Sequence, residues 1–185
     1  MADLIIQPNA GAGNQLILKD QAGGVVLTTS DSGATFSGTF PAGHVVQVVS
    51  NSAVCDHSGA GNSFSDQVLD GFSTSITPTS SSNKLFLQCC LFYVGGNNNY
   101  CQLTFERAIA GGATTTDIMS GIDGTRGLAR IGPTNVKAPV HISYLDSPNT
   151  TSAVTYQVRF RNHDDSTTVY VGAGTSTMTI MEIKQ

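Results

Sequence analysis

Val154-Thr155-Tyr156-Gln157-Val158-Arg159-Phe160-Arg161 changes character at every step. Val154, Tyr156, Val158 and Phe160 point one way along an extended chain and Thr155, Gln157, Arg159 and Arg161 the other, so the segment reads as a half-buried β-strand. The closing stretch has the same period: Met178, Ile180 and Glu182 oppose Thr179, Met181 and Ile183, with both faces largely apolar. Leu85-Phe86-Leu87-Gln88-Cys89-Cys90-Leu91-Phe92-Tyr93-Val94 is apolar on both faces, and such a strand must be covered on both sides. Either it is central beneath a loop, or a neighbouring subunit covers it.

Further strands are predicted at 64–69, 72–77, 85–94, 100–109, 137–145, 153–160, 167–171 and 178–183, a spacing typical of a sandwich or barrel. Asp70-Gly71, Gly95-Gly96-Asn97-Asn98-Asn99, Asp123-Gly124, Asp146-Ser147-Pro148-Asn149 and His163-Asp164-Asp165 supply the turn chemistry between them. Composition agrees. Charged residues are 12% of the 185, about half the usual share. Glu106 and Glu182 are the only glutamates, so strong surface helix formers are scarce. Ser, Thr, Asn and Gly keep the surface wet instead, and they favour strands and turns. The chain is expected to be all-β.

Its first forty residues differ from the rest. Leu4-Ile5-Ile6, Leu16-Ile17-Leu18 and Val25-Val26-Leu27 are short apolar triplets separated by Gly-, Asn- and Asp-rich turns. Strands this short cannot bury their apolar side chains alone, whereas three chains wound about a common axis would cover them. Asp31-Ser32-Gly33-Ala34-Thr35-Phe36-Ser37-Gly38 reads as a joint, and Pro41-Ala42-Gly43 introduces the apolar run His44-Val45-Val46-Gln47-Val48-Val49. The expected organisation is a β-rich anchor or stalk over 1–40 and a β-sandwich head over 44–185.

The formal charge of −4 excludes the dense basic field that sequence-independent nucleic-acid binding needs. No apolar run approaches the ~18 residues that cross a bilayer, and Met1-Ala2-Asp3-Leu4 lacks the basic start of a signal peptide. The protein is therefore expected in the cytoplasm of the cell that makes it, leaving by lysis. Cys55, Cys89, Cys90 and Cys101 have no CxxC spacing. Cys89 and Cys90 point to opposite faces of a strand and cannot share a metal site without distortion there, so the cysteines read as small buried hydrophobes. Whether they ever pair stays open.

No Gly-x-Ser-x-Gly elbow, phosphate-binding loop, zinc-protease or dinucleotide motif is present, and no cofactor is implied. His44, His57, His141 and His163 lack ligand spacing, and His141 reads as structural. Asp164-Asp165 could suggest a carboxylate pair for glycoside cleavage, but consecutive residues in an Asn-His-Asp-Asp-Ser turn cap and solvate that turn more readily. Asp56 and Asp66 lie in similarly polar surroundings.

Val140-His141-Ile142-Ser143-Tyr144-Leu145-Asp146-Ser147-Pro148-Asn149-Thr150-Thr151-Ser152-Ala153-Val154-Thr155-Tyr156-Gln157-Val158, the ending Met178-Thr179-Ile180-Met181-Glu182-Ile183, and the entry Ser75-Ile76-Thr77-Pro78 with Asn83-Lys84-Leu85 form an ordered set of motifs. Together with Val45-Val46-Gln47-Val48-Val49, the set resembles a module at the C-terminus of bacteriophage tail fibre and related virion proteins. The likeness covers roughly 44–185. It implies a jelly-roll-like, trimeric β domain in a virion protein, without saying where on the particle.

Two loop clusters suit recognition. Asn97, Asn98, Asn99 and Tyr100, beside Tyr93, offer planar amides for hydroxyl groups and an aromatic face for a sugar ring, although Asn and Gly also simply make turns. Asp123, Arg126 and Arg130 lie in the Gly-rich stretch 121–132, where a surface salt link is the plainer reading. Asn149-Thr150-Thr151 matches a glycosylation sequon that has no meaning in a protein made in bacteria. The expected function is a non-enzymatic virion structural protein: a short trimeric tail fibre or spike that attaches to other virion proteins by its N-terminus and presents a host-recognition domain to surface polysaccharide or protein. The alternative is a head fibre or capsid decoration that stabilises the shell. A depolymerase is a weak third.

Overall fold

The computed structural model describes residues 15–30, 33–36, 41–59, 67–96, 101–119, 129–131, 138–162 and 169–185. Every strand pair among them is antiparallel, and none of them is helical. The chain divides into two compact units, Met1–Pro41 and Ala42–Gln185.

In the first unit β1 (Ile17–Lys19), β2 (Val25–Ser30) and β3 (Gly33–Phe36) form one sheet in that order. The β1–β2 turn is built by Asp20, whose carboxylate accepts the Gly24 amide at 2.8 Å, while Gly23 adopts a positive φ of 87°. The segment expected as a joint at 31–38 contributes a strand instead: Ala34 and Thr35 complete the ladder on Thr29 and Thr28. Alanine and threonine extend readily once a neighbouring strand offers its free edge.

The second unit has two sheets. One orders β10 (Ala138–Asp146), β6 (Lys84–Gly96), β12 (Val169–Ile183) and β4 (Val45–Gly59). The other orders β5 (Val68–Ile76), β11 (Val154–Asn162), β7 (Cys101–Ile109) and β8 (Thr114–Thr115), with β9 (Ala129–Ile131) also on β7. Leu85, Leu87, Leu91, Met178 and Ile180 from the first join Phe72, Leu103, Phe105, Tyr156, Val158 and Phe160 from the second in one buried cluster. Each such side chain contributes about 1.5–3 kcal/mol on burial. The alternation expected for β11 holds, with Val154, Tyr156, Val158 and Phe160 all in that core.

Two expected boundaries dissolve. Asp70-Gly71 is a kink within β5, not a turn: Gly71 takes a φ of 73°, and the register on β11 slips between Ser73, opposite Gln157, and Val68, opposite Arg159. The strands expected at 167–171 and 178–183 are one strand, β12, which pairs with β4 along its length and slips register between Gly172 and Gly174 and again between Glu182 and Ile183. The stretch that carries weak strand character by itself is held extended by a partner on β4.

Candidate functional site

The ionisable groups of the interior come first, because they are where chemistry would start. Glu182 on β12 points into the core beside Met178 and Ile180 and is fully buried. Its Oε1 accepts the Thr79 amide at 2.8 Å, the Thr79 hydroxyl at 2.8 Å and the Asn83 side-chain amide at 2.6 Å, and its Oε2 accepts the Gln47 amide at 2.6 Å. Burial alone would raise its carboxyl pKa, but the bonds from Asn83, Gln47 and Thr79 outweigh burial and hold it below the ordinary range. The carboxylate thus fastens the 77–83 turn and strand β4 to β12. Gln47 adds a second bond, to the Thr77 carbonyl at 2.7 Å.

Asp146, at the end of β10, performs the same task between the sheets. It accepts two bonds from Arg107 on β7, at 2.8 and 3.0 Å, and one from the Tyr156 hydroxyl on β11 at 2.6 Å. Burial, and then the bond to Asp146, pushes the tyrosine hydroxyl far above its ordinary pKa, so it remains a donor.

The outward side of β7 and β11 is a third polar layer. Gln157, Arg159 and Arg161 lie directly opposite Glu106, Thr104 and Gln102. Glu106 accepts from Gln157 and Arg159, Arg161 donates to Gln102, and Thr104 bonds Asp117. Gln102, Thr104, Glu106 and Arg159 are all buried, so the chain itself covers this part of the five-stranded sheet's outer face. Among the described residues no three metal-ligating side chains come together.

The loops expected to recognise a host lie outside the described residues: Asn97, Asn98, Asn99, Tyr100, Asp123 and Arg126 all do, as do Asp66, His163, Asp164 and Asp165. Arg130 sits in β9 with its backbone opposite Gln102. His44 and His57 flank and lie within β4 and share no site with His141 on β10.

The outer face of the four-stranded sheet gathers most of the remaining exposed side chains of the second unit. Cross-strand register sets side chains in rows, with Leu145, Phe86, Met181 and Val48 in one, and His141, Cys90, Thr177 and Ser52 in another. Between these, Ser143, Gln88, Thr179 and Ser50 form a polar row. Phe92 is 56% exposed, Val48 54% and Val54 73%. The Phe92 ring lies across Gly174, where a Cβ would come within 2.4 Å of it. A hollow of about 370 Å³ opens here, lined by Gln88, Cys90, His141, Ser143, Thr177 and Thr179, with Cys89 and Ile142 at its floor.

His141, expected as structural, is exposed at the rim of this hollow, with Nε2 3.5 Å from the Cys90 sulfur. Cys89 and Cys90 do point to opposite faces: Cys89 is buried, and burial pushes its thiol far up, while Cys90 is half-buried on the outer face. All four cysteines are free thiols, and Cys55 and Cys101 are buried. Sequence reasoning singled out β6 as two-faced but not the small side chains between its aromatics. The signal available was Gln88 and Cys90 standing between Phe86 and Phe92 on one face of the strand. The chain matches no protein-family model and no curated protein.

Proposed function

We propose that the chain is a non-enzymatic structural protein of a bacteriophage particle: a short homotrimeric tail fibre or spike, attached through its N-terminal unit and presenting the sandwich to the host. The observation that carries this reading is apolar surface left bare by a single chain in both units. Ile17, Leu18 and Val25 are exposed in the first, and Val48, Val54 and Phe92 in the second. Association of copies would take these side chains out of water.

Strand order supports a jelly-roll reading of the sandwich. From β4 to β7 the chain alternates between the sheets at each step, and it does so again from β10 to β12. The resulting orders, β4-β12-β6-β10 and β5-β11-β7-β8, support a reading as two interleaved Greek keys. Jelly rolls recur in viral capsid and sugar-binding domains. The interior acids Glu182, Asp146 and Glu106 are each occupied in holding strands together, which suits a scaffold.

Light scattering and native mass measurement on the purified chain test the reading directly. Three copies are expected, and a well-folded monomer at micromolar concentration refutes it. Deleting residues 1–36 should leave a soluble trimer that no longer joins the particle. Receptor contact is assigned to the 97–100 loop, so Asn98→Ala with Tyr100→Ala should lower adsorption to host cells without changing assembly. Unchanged adsorption would favour a capsid-decoration role.

A further inference from the structure

We infer that copies of this chain pack against one another through the outer face of the four-stranded sheet. The inference rests on the trimer reading above and supplies the surface which that reading leaves open. The two sheets treat their outer faces differently. The five-stranded sheet keeps charges there and buries them under its own chain, as Glu106 and Arg159 show. The four-stranded sheet leaves its outer face bare, with Phe92 more than half exposed.

Charge points to a second copy as the occupant. Between Val46 and Val54 on β4, and across the facing stretches of β12, β6 and β10, the described outward side chains include no Asp, Glu or Arg, and Lys84 stands only at one end. A face without charges can be buried between copies with no charge left desolvated and unpaired. An acidic or basic partner would find only Lys84, at one end, and the His141 imidazole to pair with.

Relief and size agree. The apolar row through Phe86 and Met181 stands beside the 370 Å³ hollow walled by Ser143 and Thr177, which offers both a ridge and a recess to a neighbour. Contacts of ridge to recess between copies are heterologous and close into a ring when the rotation allows. Four strands at about 4.8 Å spacing and the run from Val46 to Val54 at about 3.4 Å per residue span roughly 15–20 Å by 27 Å. That is about 400–540 Å² in plan, half to two thirds of the ~800 Å² per partner in a standard interface before side-chain relief is added.

The experiment compares the full chain with Val48→Glu and Thr177→Arg on this face and with Ser75→Arg on the outer face of the other sheet, all three being exposed positions. Native mass measurement at micromolar concentration should give trimers for the unaltered chain and for S75R, and monomers for V48E and T177R. Trimers throughout would overturn the interface while leaving the trimer reading intact. A monomeric unaltered chain would overturn both, and dissociation of S75R alone would move the interface to the five-stranded sheet. Thiol alkylation of the unaltered chain gives a second readout, independent of whether the variants fold. Cys90 is the only cysteine that is not buried. Its alkylation should accelerate at least tenfold on dilution into the dissociating range, and a fast rate that dilution does not change would overturn the inference.

Discussion

Replacing Glu182 with Gln probes the bond network that closes the sandwich. In the protein Oε1 receives three donors and Oε2 receives the Gln47 amide. A glutamine can keep its carbonyl toward Thr79 and Asn83, but it then turns an NH₂ group toward the Gln47 amide. Gln47 cannot flip to accept that group without abandoning the Thr77 carbonyl. One bond to a charged acceptor is therefore lost in either arrangement, a cost of about 1.5–3 kcal/mol. Weakening of the remaining three bonds adds to it as the charge disappears. Urea unfolding followed by far-UV circular dichroism suits a chain that has no tryptophan, with protein concentration held fixed because assembly couples to stability. The dependence on pH gives a second signature. Because the folded carboxyl sits below its unfolded value, its contribution is present above the unfolded pKa near 4.3 and lost as pH falls through the folded one. The unaltered chain should therefore lose its advantage over E182Q as the solution is acidified below about pH 4. A variant within 0.5 kcal/mol of the unaltered chain at pH 7, or two stability curves that stay parallel down to pH 3, would refute the account.

Tyr156→Phe removes a buried donor to Asp146 and should cost about 1.5–3 kcal/mol in the same assay; a cost near zero would mean that Arg107 alone satisfies the carboxylate. Gly71→Ala places a side chain at a φ of 73° with nothing within 4 Å of the new Cβ, so its cost of about 1–2 kcal/mol is purely backbone strain, and Gly71→Asn should recover part of it. Gly174→Ala drives a methyl into the Phe92 ring and should cost about 1–2 kcal/mol as overpacking. In a Phe92→Ala background that cost should vanish, and an undiminished cost there would place the strain elsewhere.

The sequence by itself determined the class of structure. A period of two in 154–161 is a local property: extended backbone sends successive side chains to opposite faces, so Val154, Tyr156, Val158 and Phe160 had to share a core wherever the strand lay. The opposite directions of Cys89 and Cys90 followed in the same way. What only the tertiary structure decided depends on partners distant along the chain. Asp70-Gly71 is a bulge because β11 runs on past it and leaves one residue, Val158, to oppose the four from Leu69 to Phe72. Residues 169–183 form one strand because β4 pairs along the whole of it. Glu182 is a buried clamp because Gln47, Thr79 and Asn83 arrive from 135, 103 and 99 residues away. Sequence marked β6 as apolar on both faces, yet periodicity says only which side chains share a face. Whether that face is covered depends on what packs against it, and the fold leaves Phe92 and Val48 in the open.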